Sequence, residues 1–252
     1  MGEESVGEAG FGCGNFHVKR VEQWSEEDMK TLVDLAVANN IAWCGIVCHT
    51  HGIAHISKGN VWGLRAKAPA FYPDIITNNS KVTTEEVMDF IGGGEVSGIK
   101  DSYANLDLAS HGFKMLFEAD WIYHAPVKEA GPAQRSWLTV ATEEELKEWS
   151  DANGTGTVIR PELLRRNDVK IFMHRDQDQR SGFIAYLGAD AVGVSNVFST
   201  GQAEESMWTD IVKVVSAAFP GFPMVGYERN GSLEAARASG WTPIGPLRVW
   251  VK

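Results

Sequence analysis

Four polar residues in two apolar runs mark the part of this 252-residue chain best equipped for chemistry. Ser195 and Asn196 interrupt VGVSNVFS with a hydroxyl and an amide; Tyr227 and Glu228 close MVGYE with a phenol and a carboxylate, groups that can move protons. Each also has a plain structural use. Ser195 and Asn196 can end a strand or bond a loop, and Tyr227 and Glu228 can be packing and a surface charge. Alternation along a strand sends Tyr227 and Glu228 to opposite faces, so at most one is expected to face a given cavity. Upstream, FYPDIIT sets Tyr72 and Asp74 on one side of a strand, and EVSGIKDS ends in Lys100 and Asp101. These four are candidates for holding an acceptor amine, or else a Pro-edged strand and a helix cap.

Other chemistries find less support. His49, His51 and His55 straddle Gly52 with no carboxylate or thiolate at ligand spacing, which argues against a metal site. No GxSxG, Walker A, GxGxxG or HExxH run occurs, so hydrolase, kinase and dehydrogenase readings lose their usual signatures. The cysteines are Cys13, Cys44 and Cys48, an odd number with the last two four apart in a helical stretch; this fits a reducing, cytoplasmic setting. The opening MGEESVGEAGFGCG has no basic start and apolar core of a signal peptide and reads as a flexible leader over 1–20. No uninterrupted apolar run approaches the roughly 20 residues of a membrane helix. Against 33 Asp and Glu stand 23 Lys and Arg, a net charge of −10 that disfavours binding nucleic acid over a broad face. One local exception is the basic group Arg160, Arg165, Arg166, Lys170, Arg175 and Arg180, either a solvated surface or a dock for an acidic partner.

The elements that must position these residues follow from spacing and caps. Ser25 with Asp28 opens one or two helices over 25–50; Thr83 with Glu86 opens a helix that the glycines at 92–94 end; Thr142 with Glu145 opens another. Short strands are expected in GNVWGLRAKAP, FYPDIIT and EVSGIKDS, followed by a short helix ending at Gly112 and a long strand, FKMLFEADWIYH. The aperiodic stretch 127–135 reads as a linker. Beyond it come SWLTVA, a helix, PELLRR, three strands, EESMWTDIVKVVSAAF as a helix, PMVGYE, SLEAARAS ending at Gly240, and a last strand. Aligning Gly112 with Gly240 makes the halves read alike: strand, polar turn, helix, Gly-aromatic (Phe113, Trp241), long strand. The chain thus reads as two copies of one unit, over 21–126 and 136–252.

That order, with VGVSNVF as central strand, MVGYE as the next and EAARASGW as a Gly-aromatic helix end, resembles the GCN5-related N-acetyltransferase (GNAT) superfamily. The resemblance covers 136–252 as a complete fold and about 25–125 as a degenerate copy. It implies an α/β (α+β) fold of two tandem units, each a mixed, mostly antiparallel sheet flanked by helices. It implies an N-acyltransferase that transfers directly, without a covalent enzyme intermediate or a permanently bound cofactor. In the family the fourth and fifth strands splay and a pantetheine arm slots between them. By analogy Val194, Ser195, Asn196, Val197 and Phe198 form the strand edge, with Ser199, Thr200, Gly201 and Asn230 beside the thioester. Ser195 and Asn196 then serve the oxyanion, Glu228 is the base and Tyr227 the acid for the thiolate.

Two departures qualify this. The Tyr that often protonates the thiolate is replaced by Ala236, and by Leu108 in the first copy. The pyrophosphate loop becomes SerThrGlyGlnAlaGluGluSer at 199–206, with one glycine, no arginine, and Glu204 and Glu205 where phosphate would sit. Weak binding of free coenzyme A is therefore expected. A donor carried as a phosphopantetheine thioester on an acidic carrier protein, docked on Arg160, Arg165, Arg166 and Arg175, fits that loss. The acceptor expected is a small-molecule amine, in natural-product biosynthesis among other settings. Two other classes remain: a non-catalytic binding module, and an aminoacyl-tRNA-dependent transferase, which the −10 charge disfavours.

Overall fold

Ser25 accepts from the amide of Asp28 and the Asp28 carboxylate accepts from Ser25 N, a reciprocal cap that opens a single long helix, α1 (Glu26–Thr50). By length and composition α1 could cross a membrane. Here it lies along the sheet with Val33, Ala36, Val37, Trp43, Cys44, Val47 and Cys48 buried. The computed structural model describes residues 25–201 and 205–252. The leader 1–20, Cys13 and Glu204 lie outside the described residues.

The strands and helices follow in chain order as β1 (His55–Lys58), β2 (Val61–Leu64), β3 (Ile75–Thr77), α2 (Thr84–Ile91), β4 (Gly98–Asp101), β5 (Lys114–His124), β6 (Leu138–Thr139), α3 (Glu143–Asn153), β7 (Val169–Asp176), β8 (Gln179–Gly188), β9 (Ala191–Ser199), α4 (Glu205–Ala218), β10 (Met224–Glu228), α5 (Asn230–Ala238) and β11 (Thr242–Val251). The expected capping boxes of α2 and α3 are both formed, and Gly92 ends α2 at φ 54°.

The eleven strands of the described residues join one sheet in the order β1-β2-β3-β4-β11-β5-β10-β9-β8-β7-β6. Among the described residues only β3 with β4 and β9 with β10 pair in parallel; the other pairs are antiparallel. Read inward from either edge, the sheet gives antiparallel strands, a parallel pair, and then the long strand of the other half of the chain. β5 and β11 thus cross over: β11 pairs with β4, β5 with β10, and the two with each other from Thr242–Tyr123 to Val251–Lys114. The 125–137 stretch between β5 and β6 has no helix or strand, but Asp210 on α4 accepts from the amides of Gln134 and Arg135 and from the Trp137 indole.

Local expectations fail at three places, for physical reasons. The helix expected before Gly112 is a single 3-10 turn, Ala109–His111, because the Asp101 carboxylate takes the amides of Asn105 and Leu106 and holds 101–106 as a loop. FYPDIIT becomes a strand only from Ile75: Tyr72 N bonds Pro69 O in a turn, and Pro73 has no amide to give a ladder. The edge strand β1 carries no sequence signal, since its HISK run is mostly exposed and shows no apolar alternation.

Candidate active site

β9 and β10 share only two paired positions, Val192 with Met224 and Gly193 with Val225. Beyond them β9 follows β8, while Gly226, Tyr227 and Glu228 pair with Ile122, Trp121 and Asp120 of β5. A bulge helps β9 turn away. Its register against β8 slips between Gly182 and Ile184, and Asn196 takes a left-handed φ of 54°, which re-aims the main chain. Glycine is required where the strands part: a Cβ on Gly226 would lie 2.8 Å from the Val194 carbonyl oxygen. A cavity of about 310 Å³ opens there.

One wall is α1, which contributes Asn39, Asn40, Trp43 and Cys44. Asn39 fixes it in place, donating to Gly188 O at 2.8 Å and Ala191 O at 2.9 Å on the β8–β9 turn. The side chain sits where a Cβ on Gly193 would otherwise be. The lining also includes Tyr72, Lys100 and Trp121 of the first half and Ser195, Asn196, Val197, Tyr227, Glu228 and Arg229 of the second. Both Tyr227 and Glu228 therefore line the cavity, contrary to the expectation from alternation. A gap between two strands of one sheet opens to both faces. Tyr227 points to the α1 side, edge-on to Trp121 at 5.5 Å, while Glu228 bonds Ser232 of α5.

The electrostatics of the gap are unusual. Burial raises the Glu228 carboxyl to about 7, against smaller opposing bonds from Ser232 and the Arg229 amide. Burial likewise pushes the Tyr72 phenol well above its ordinary value, with the Cys44 thiol adding to this and bonds to the Trp43 and Asn196 side chains opposing it. Lys100, 4% exposed, donates to Asn40 Oδ1 at 2.9 Å and stands 4.4 Å from the Tyr227 ring centroid. Perturbed groups gathered in one cleft are what proton-transfer sites need.

Other candidates lie elsewhere. Asp74 accepts from the amides of Ala68 (2.7 Å), Ser97 (2.6 Å) and Gly98 (3.1 Å), and Asp101 fastens its loop; neither lines the cavity. Phe198 packs on Trp149, Ser199 Oγ accepts from Ser181, Thr200 Oγ1 accepts from the Arg180 amide, and Asn230 opens α5 at φ 52°. The basic group is dispersed. Arg166 grips Asp168 with two bonds, Arg175 and Arg180 share Glu148, and Arg160 and Arg165 border a shallow depression with Glu143, Glu144 and Glu162. His51 bonds Val158 O and His55 lies against Trp62.

Sequence reasoning missed Asn39, Asn40, Trp43 and Trp121. One signal was present: two adjacent amides inside the apolar run LAVANNIAWCG have no use on a buried helix face unless something polar meets them.

No family model and no curated protein matches the sequence. Solved structures do. A GCN5-related N-acetyltransferase from Kribbella flavida superposes with a TM-score of 0.57 at 12% identity, covering 86% of this chain and 96% of that one. An acetyltransferase of the GNAT family from Novosphingobium aromaticivorans gives 0.54 at 11% identity, covering 87% and 98%. A conserved protein of unknown function from Staphylococcus epidermidis gives 0.56 at 10% identity, covering 79% and 94%. Identities this low speak to architecture alone, and the architecture of this chain is the GCN5-related N-acetyltransferase fold.

Proposed function

We propose that the protein is an N-acyltransferase, moving an acyl group from a pantetheine thioester to the amine of a small molecule. The observation that carries this is the gap between β9 and β10, where a bulged strand edge faces a partly buried carboxylate raised to about 7. The arrangement of the halves supports two tandem units whose last strands are exchanged, with only the second pair opened.

In this reading the thioester lies along β9 at 194–197. Glu228 takes a proton from the acceptor ammonium, and the freed nitrogen attacks the thioester carbonyl carbon. Main-chain amides at the Asn196 bulge, with the Ser195 and Asn196 side chains, meet the tetrahedral oxyanion. The C–S bond then breaks as the amide forms; the Tyr227 phenol gives its proton to the thiolate and is reprotonated by the proton that the amide nitrogen sheds, while the proton on Glu228 leaves to solvent. A carboxyl near 7 suits the first step, being half ionised at neutral pH and basic enough to accept.

Pantetheine is common to coenzyme A and to a carrier protein, and the gap needs only that part. Among the described residues Arg160, Arg165 and Lys170 are the members of the basic group without an ion pair, and of these the two arginines are the better candidates for docking an acidic carrier. The test is to supply one acyl group on coenzyme A and on carrier proteins to a panel of amines, recording free thiol and the mass of the acylated product. Glu228→Gln is run in parallel. Turnover that collapses in Glu228→Gln supports the assignment. Donor binding without thiol release from any donor would leave a binding module instead.

A further inference from the structure

Among the described residues Lys100 is the one buried ammonium that borders the cavity, the other cation there being the exposed Arg229 over the Phe117 ring, and its surroundings are unusual for a charge. It sits on β4, where the parallel pairing with β3 ends at Ile76, and its side chain reaches out of its own half into the gap between β9 and β10. Its partners are the Asn40 amide oxygen at 2.9 Å and two aromatic faces, Tyr227 at 4.4 Å and Trp121 at 6.0 Å. Among the described residues no carboxylate stands within ion-pair distance of it. The Cys44 thiol nearby offers no counter-charge, since burial raises it further above neutrality.

A desolvated ammonium held by one neutral amide and π faces is expensive to bury, and such groups normally have an anionic partner. Its one hydrogen bond within the fold is the one to Asn40, which is only partly buried; an apolar side chain of the same length would pack on Trp121 and Tyr227 and forgo that single bond to a neutral amide. The side of Lys100 not taken up by Asn40 and the rings is the cavity itself. An anion bound there would complete the set, with Lys100 giving a charge-assisted bond in a low-dielectric site.

We propose that Lys100 anchors a carboxylate of the acceptor, so that the substrate is an amino acid or another amine that also bears a carboxylate. This rests on the acyl-transfer reading for the word acceptor, although carboxylate binding itself does not. Glu228 and Lys100 approach the gap from opposite faces of the sheet, so a zwitterion can present its ammonium to one and its carboxylate to the other.

The first experiment needs no donor. Melting temperature is measured for the intact protein with amino acids of small, acidic and aromatic side chains, and with the amines left when their α-carboxyl is removed. At least one amino acid should stabilise the wild type where its decarboxylated amine does not, and Lys100→Met should abolish that difference. Without ligand, Lys100→Met should melt no lower than the wild type, because it removes an unpaired buried charge. If turnover is found, the ratio of kcat/KM for an amino acid over its amine should fall about 10- to 100-fold in Lys100→Met, the span of a bond to a charged group. Three results would each overturn the proposal: no amino acid binding better than its amine, a ratio unchanged while kcat falls for both acceptors, or an unliganded Lys100→Met protein that melts well below wild type. The last two assign Lys100 to the oxyanion or to the core. Carboxylate binding without acyl transfer would instead remove the proposed activity and leave the anchor standing.

Discussion

The two parallel strand pairs begin alike and end differently. β3 with β4 and β9 with β10 each keep two paired positions. One step further on, the first pair is fastened: Thr77 Oγ1 accepts from the Ser102 amide at 2.8 Å, and Thr77, Asp101 and Ser102 are all 0% exposed. At the corresponding places the second pair has Val194, Gly226 and Tyr227, and the strands separate around a cavity. The same backbone pairing is a lock or a slot according to a few side chains. Moreover, the locked pair sends Lys100 into the slot of the other, so closing one end of the sheet supplies a wall for the opening at the other.

The largest effect should come from the slot. Glu228→Gln is expected to lower kcat/KM by about 10²- to 10⁴-fold, the usual yield of a general base. In the wild type the rate should climb as pH rises through about 7, where Glu228 loses its proton, and the variant should lose that limb. Stability moves the other way. The folded carboxyl is raised from an ordinary 4.5 to about 7, so the unfolded chain releases its proton first as pH rises. Folding stability attributable to Glu228 is therefore present below about pH 4.5 and lost toward 7, on the order of 3 kcal/mol in all. Glu228→Gln should flatten that part of a melting-temperature profile, and a profile unchanged between wild type and variant would contradict a desolvated, raised Glu228.

The closed half should respond in stability alone. Asp74→Asn leaves three main-chain amides sharing a neutral oxygen and is expected to cost about 3 kcal/mol. Unchanged stability with a raised KM for amines would return Asp74 to the acceptor site. Gly226→Ala forces a Cβ against the Val194 carbonyl and should cost about 2 kcal/mol, with a change in KM because the slot itself must deform. Thr77→Val orphans the Ser102 amide, for about 1 to 2 kcal/mol by chemical denaturation, and should spare KM. If Thr77→Val and Gly226→Ala altered KM equally, the contrast between lock and slot would be wrong.

The sequence made the local grammar legible and hid what is non-local. Ser25 with Asp28, Thr83 with Glu86 and Thr142 with Glu145 mark helix starts because a capping box is read over three residues. The family resemblance located the slot, since VGVSNVF and MVGYE are its two walls. The crossing of β5 and β11 is invisible locally, because both are long apolar strands and nothing in either says which neighbour it will choose. Asp74 and Asp101 misled for a related reason. A carboxylate tying up backbone amides and one facing a ligand have the same residue type and the same neighbours in sequence. Lys100 resembled them in sequence, and only the fold separates it from them by carrying it across to the other half.

The smallest effect is expected where surface charge is most conspicuous. Arg175 and Arg180 both bond Glu148, which they hold down to about 2, the Arg175 bond contributing most. That depression favours folding above the ordinary carboxylate range and is lost only as pH falls toward 2. Because Arg175 and Glu148 remain partly exposed and Arg180 stays in place, Arg175→Ala should change stability by less than about 1 kcal/mol at neutral pH, and less again in high salt. Its value lies in the contrast with Arg165. A carrier protein that docks on arginines not engaged by internal carboxylates should lose rate in Arg165→Glu and keep it in Arg175→Ala, while coenzyme A as donor should register neither. Equal losses in both variants with the carrier would mean that Glu148 releases Arg175 on docking. No loss in either would remove the basic group from donor recognition and leave the slot between β9 and β10 as the whole of the donor site.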